Sequence, residues 1–189
     1  VPVSVNVSAR QFQQPDFHKR VAQILSAHDI DPALIEIELT EGLVMEDSDI
    51  LTLNLAHLYP LGALTRSLKG EALTEMAELT EAGCVGFSQA EAPCRDTLVL
   101  HRALQYAATF GYAVWLRPND PWLGNGVAAK GPLATRMGLS GVPAIAETIA
   151  LSLIFELVRD TRARVHLCRL SSAGGVELVR AAKAEGLPV

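Results

Sequence analysis

A chain of 189 residues, 49% hydrophobic and 20% charged, suits one ordinary domain with a sizeable core. It falls short of the roughly 250 residues of a complete eight-stranded α/β barrel. A net charge of −5 argues against a nucleic-acid surface, and no apolar run approaches the roughly 18 residues of a membrane span, so neither partner is expected. The three cysteines, Cys84, Cys94 and Cys168, form no Cys-x-x-Cys pair; with no recognisable signal peptide, they read as reduced thiols of a cytoplasmic protein.

In chain order, Val3, Val5 and Val7 alternate with Ser4 and Asn6, which predicts a strand. It starts so close to Val1 that the chain is expected to be cut there. Ser8 and Ala9 lead into a loop, and Pro15-Asp16 opens an amphipathic helix carrying Phe17, Val21, Ile24 and Leu25. Asp31-Pro32 precedes a second strand over residues 34–40, where Ile35, Ile37 and Leu39 alternate with Glu36 and Glu38. Those two carboxylates fit either a solvated strand face or a site for a hard divalent cation.

Glu46-Asp47-Ser48-Asp49 is acidic, with no glycine or proline to mark a linker; Asp49 reads as the cap of a short helix. The expected organisation is a segment 1–48 and a segment 49–189 that together make one continuous barrel-like domain. A helix is predicted over 71–82, with Leu73, Met76, Ala77 and Leu79 on its apolar side and Gly83 after its end. Residues 84–87 read as a strand, 97–110 as a helix closed by Gly111, and 112–116 as a strand. Residues 118–141 are rich in glycine and proline and read as a loop over the strand ends. Pro143 opens a helix running to about Arg159. Last comes an apolar β run over 164–172 that ends in Ser171 and Ser172, where the N-cap of a helix over 174–185 belongs. Val189 stops where another strand should begin, so this end too is expected to be cut. The fold class is α/β: a partial or hybrid TIM-type (β/α) barrel with parallel strands and outer helices. In such folds the carboxyl ends of the strands line the site, which brings Arg117 and Arg169 to it.

Val5-Asn6-Val7-Ser8-Ala9-Arg10-Gln11-Phe12, together with Glu36-Ile37-Glu38-Leu39-Thr40-Glu41, resembles the EAL family of cyclic di-GMP phosphodiesterases. The resemblance implies Asn6 and Glu38 as metal ligands and Glu41 as a loop-ordering glutamate, with magnesium as cofactor if this part is functional. The family's Glu-Ala-Leu motif, its paired aspartates and its lysine are absent. Two ligands do not hold a two-metal hydrolytic site, so these residues read as vestigial.

Asn54-Leu55-Ala56-His57-Leu58-Tyr59-Pro60-Leu61-Gly62, Lys69-Gly70-Glu71-Ala72-Leu73 and the stretch from Val165 to Val189 resemble the dihydroorotases, metal-dependent amidohydrolases of pyrimidine synthesis. The resemblance thus changes between residues 46 and 52, which puts the expected join there; the second one implies a metal at the strand ends, yet the ligand positions are substituted. No His-x-His motif occurs in the chain. Gln89-Ala90-Glu91 stands where the family has an acidic residue, and Arg117 and Arg169 stand where it has histidines. The family's catalytic aspartate would lie beyond Val189. A guanidinium offers a metal no lone pair, so no catalytic residue and no metal are expected; zinc enters only if this inactivity reading fails. Glu91 and Asp120 fit either shifted ligands or solvated loop carboxylates. His57 and His166 read as packed strand residues, and His18, His28 and His101 as surface residues of helices. Cys168, beside Arg169, has no evident base to make it a nucleophile.

Some bacterial dihydroorotase-like chains lack metal ligands and assemble with aspartate transcarbamoylase, and the substitutions here resemble theirs. Arg117 and Arg169 fit either an anion site or pairing with nearby carboxylates such as Glu91 or Asp120. The alternatives are a chimeric or truncated barrel with no native activity and an EAL-related protein. About seven strand candidates leave a sheet edge open, so self-association is expected.

Overall fold

A computed structural model describes residues 3–12, 14–39 and 59–189 of the chain. Two compact units divide at residue 60, Val1–Pro60 and Leu61–Val189. The expected join over 46–52, Glu41, His57 and the Asp49 cap lie outside the described residues.

In the first unit, β1 (Val3–Val7), α1 (Ala9–Phe12), α2 (Phe17–Ala27) and β2 (Ile35–Leu39) follow one another, with a 3-10 turn, Pro32–Leu34, just before β2. The two strands pair in parallel, and the register sets Asn6 opposite Glu38. The predicted loop after β1 is in fact the start of α1, and its signal is local. Gln11 Oε1 accepts from the Ser8 amide at 3.1 Å and from the Ser8 hydroxyl at 2.6 Å, a Ser-x-x-Gln capping box. Phe12 is fully buried, its ring 5.1 Å from that of Phe17.

The second unit is built on four parallel strands, β3 (Leu61–Ala63), β4 (Gly86–Ser88), β5 (Ala113–Leu116) and β8 (Arg164–Leu167), in the order β3-β4-β5-β8. Between them run α3 (Met76–Glu81), α4 (Thr97–Phe110), β6 (Ala128–Ala129), α5 (Pro132–Arg136), β7 (Gly141–Val142) and α6 (Ile145–Thr161), and α7 (Ala173–Ala184) follows β8. The core gathers Leu64, Phe87, Leu104, Val114, Leu151 and Val158, all buried. Each large side chain so buried contributes roughly 1.5–3 kcal/mol. α4 buries Leu100, Ala103, Leu104 and Ala107, one stripe at helical spacing. Asp96 caps it, accepting from the amides of Leu98 and Val99, and Gly111 ends it at φ 72, a conformation that favours glycine. α6 packs against both α4 and α7. On β5, Val114 and Leu116 turn into the core. The next residue along, Trp115, lies with its ring 4.4 Å from His166 on β8.

In the second unit the β run expected over 164–172 is a strand only to Leu167, and three further predicted elements differ from those observed. The helix over 71–82 is only α3, because residues 72–74 run antiparallel to 64–66. The Arg66 amide donates to Ala72 O at 2.9 Å, and the Thr74 hydroxyl donates to Ala63 O at 2.6 Å. The strand that follows starts at Gly86 rather than residue 84, because the Cys84 amide still bonds Leu79 O at 2.9 Å in the turn that closes α3. The loop over 118–141 holds α5 and the parallel pair β6–β7, whose two-residue strands are too short to carry a periodic signal. After α7 the chain turns back, and the Val165 amide donates to Pro188 O at 2.9 Å. Pro188 therefore lies beside β8 on the side away from β5. Among the described residues no helix is long and apolar enough to cross a membrane.

Candidate functional site

The carboxyl ends of β4, β5 and β8 carry Gln89, Arg117 and Arg169, each just beyond its strand. Gln89 is only 3% exposed and committed inward. Its Oε1 accepts from the Thr65 hydroxyl at 2.8 Å, and its Nε2 donates to Leu68 O at 2.8 Å. The Thr65 oxygen in turn accepts from the Gly70 amide at 2.9 Å. An amide both donates and accepts, so it closes this buried chain and fixes the turn over 65–70.

Arg117 and Arg169 converge on one carboxylate. Nη1 of Arg117 bonds Glu91 Oε2, and Nη1 of Arg169 bonds Glu91 Oε1. The three side chains are 39%, 42% and 46% exposed respectively, so the cluster faces solvent. Ala90 and Arg169 both sit at positive φ, 50° and 55°, a conformation costly for residues with a Cβ. Asp120 takes no part. Its Oδ1 accepts from the amides of Trp122 at 2.9 Å and Leu123 at 2.7 Å, which orders the turn after β5.

A second carboxylate at the same end of the sheet had no place among the sequence candidates. Glu147, in the first turn of α6, is 7% exposed. It accepts four hydrogen bonds from the β8–α7 connection. Oε2 takes the Ser171 amide and hydroxyl, both at 2.7 Å, and Oε1 takes the Ser172 amide at 3.0 Å and hydroxyl at 2.6 Å. Burial pushes its carboxyl up, but the bonds from Ser172 and Ser171 outweigh burial and hold it below the ordinary carboxylate value. Ser172 also caps α7, its hydroxyl oxygen accepting from the Gly175 amide at 3.0 Å. A Cβ at Gly175 would collide with Glu147 Oε1. The sequence signal was that glycine: a helix opening on Gly174-Gly175 leaves room for something to come close.

A cavity of about 350 Å³, lined by Trp122, Leu123, Lys130, Ala134, Thr135 and Leu139, lies in the β6–α5–β7 excursion and includes none of the three strand-end residues. A smaller one of about 70 Å³ is bordered by Gln89, Cys94, Arg117, Asn119 and Asp120, too little for an organic ligand. Of the histidines, His166 packs its ring at a tilt of 36° against Trp115, and His101 Nε2 lies 2.6 Å from Asp160 Oδ2. His28 follows the end of α2. Burial raises the thiols of Cys84 and Cys94.

Among the described residues no three of His, Cys, Asp and Glu gather as a metal would need. The groups at the strand ends do not fit one either, since Gln89 is spent on Thr65 and Leu68 and the arginines carry positive charge.

No family model matches the chain. Over 135 residues, 71% of its length, it is 44% identical to the dihydroorotase-like protein of Pseudomonas aeruginosa, covering 32% of that protein. It is 42% identical over 134 residues, 70% of its length, to the dihydroorotase of Pelotomaculum thermopropionicum, covering 31%. The chain thus spans about a third of the length of these curated relatives. Among solved structures, the L-hydantoinase (dihydropyrimidinase) of Arthrobacter aurescens aligns with a TM-score of 0.52 at 19% identity, over 68% of this chain and 30% of that one, a likeness of fold. The cGMP-bound EAL enzyme Bd1971 aligns with a TM-score of 0.43 at 19% identity, over 62% of this chain and 33% of that one.

Proposed function

Because this chain is dihydroorotase-like over 71% of its length and shares a fold with a hydantoinase, we propose that it is a catalytically inactive dihydroorotase-like barrel protein. Its role is that of a structural partner in aspartate transcarbamoylase assembly, in the cytoplasm. One observation carries this reading. The strand-end positions where dihydroorotases place metal ligands hold two guanidiniums paired to Glu91 and an amide bonded into the fold. Neither arrangement polarises an amide or makes hydroxide. The experiment is sedimentation velocity of the full chain mixed with an aspartate transcarbamoylase catalytic subunit. A faster boundary containing both proteins is expected; independent boundaries across micromolar concentrations contradict the partnership.

The second reading, a chimeric or truncated barrel with no native activity, is favoured by the division into two units at residue 60 and by the EAL-like motifs confined to the first. The EAL alternative draws on Asn6 and Glu38 being register partners on β1 and β2. It requires hydrolysis of cyclic di-GMP with magnesium, and none is expected. Among the described residues Pro188 alone begins to pair along the outer side of β8, so self-association through that edge belongs to the same proposal. Light scattering tests it: a monodisperse monomer at every concentration contradicts it.

A further inference from the structure

Glu91 is held in an unusual way. A surface ion pair ordinarily joins one cation to one anion, whereas here each carboxylate oxygen has its own guanidinium, and the two come from adjacent strands. Arg117 directly follows β5, and Arg169 lies two residues past β8, at positive φ in the connection to α7. Glu91 comes from the connection between β4 and α4, beyond Ala90 at positive φ, and nearly half of its side chain faces water. All three side chains start within three residues of a strand end. Two guanidiniums, each donating from Nη1 to its own oxygen, hold one carboxylate through charge-assisted bonds at both oxygens and so form a template for that group.

We infer that Arg117 and Arg169 form a binding site for a small carboxylate ligand, and that Glu91 is its built-in competitor. A ligand carboxylate takes the place of the Glu91 carboxylate, which swings into solvent. Binding requires only that Glu91 leave, with every other contact of the two arginines kept. A tethered competitor has an effective concentration of order millimolar, so the native chain binds such a ligand more weakly than the bare arginine pair does. The site faces solvent, so binding weakens as salt rises. The inference is independent of the aspartate transcarbamoylase reading, because it concerns a small molecule at the strand ends and holds whether or not a protein partner exists.

The test is calorimetric titration of malonate into the full chain and its Glu91→Gln variant at low ionic strength. Glu91→Gln is expected to bind malonate about tenfold more tightly or better, as removal of an intramolecular competitor requires. Adding Arg117→Gln or Arg169→Gln to that variant should abolish the gain, with thermal unfolding used to verify that each protein is folded. No measurable binding to folded Glu91→Gln, or a gain that survives loss of either arginine, overturns the inference. Inorganic phosphate binding as tightly as malonate would overturn the carboxylate assignment. If the variants do not fold, the native chain still decides. Malonate at tens of millimolar should shift the arginine Nε resonances of Arg117 and Arg169 together, and unmoved resonances contradict the site.

Discussion

Glu147 and Glu91 stand at the same end of one sheet and are satisfied by opposite means. Glu147 is buried, accepts four hydrogen bonds from two serines, and ties α6 to the start of α7. Glu91 is half exposed and is shared by two arginines. Water explains the difference in what each contributes. A buried carboxylate whose partners are lost leaves desolvated donors behind, whereas an exposed one exchanges its arginines for solvent at little cost. The first is therefore a structural joint, and the second is a surface at which exchange with a ligand is cheap.

The comparison breaks first at the buried carboxylate. Glu147→Ala should destabilise the chain by about 3 kcal/mol in chemical denaturation, because it strands the amides and hydroxyls of Ser171 and Ser172. Gly175→Ala should cost about 2 kcal/mol by driving a Cβ into Glu147 Oε1. A loss below about 0.5 kcal/mol for both, the range of ordinary surface substitutions, would show that the joint is not structural.

Gln89→Ala is next, at about 2 kcal/mol, since it unpairs the Thr65 hydroxyl and Leu68 O and opens a small void. Hydrogen exchange should quicken at the Gly70 amide, which hangs on the same chain of bonds. The pH dependence separates the two carboxylates more finely. Glu147 titrates below its ordinary value of 4.5 in the folded protein, so the stability it contributes is complete above that value and is lost as pH falls through its folded pKa. Glu147→Gln should flatten that acid limb in a pH series of unfolding midpoints; an unchanged limb would assign it elsewhere. The smallest effect belongs to Glu91→Ala, within about 1 kcal/mol and shrinking further in salt.

What could be read in the sequence divides along a similar line. α4 was legible from end to end because its signals are local: Asp96 before it, Gly111 after it, and an apolar stripe between. Ser172 as the cap of α7 was legible for the same reason. The Ser8–Gln11 box was equally local and was passed over beside the stronger alternation of β1. The shortened α3 was hidden because residues 72–74 choose antiparallel partners six to ten residues upstream over continuing a helix. Arg117 and Arg169 were located at the strand ends, with Glu91 and Asp120 as possible partners. Packing decided between them, because Asp120 is already occupied by two backbone amides of its own turn. Gly174-Gly175 signals a close approach at the start of α7 but not its partner, because Glu147 lies 24 and 25 residues from Ser171 and Ser172 and no short-range pattern joins a helix's first turn to the loop of the next unit.

The central claim is that this rim binds no catalytic metal. It is tested most directly by metal content, measured by mass spectrometry on full-length chain purified without chelator, alongside a dihydroorotase assay of the same sample. The account predicts far less than one equivalent of any transition metal and no turnover. Stoichiometric zinc with turnover would contradict it and require ligands other than Gln89, Arg117 and Arg169.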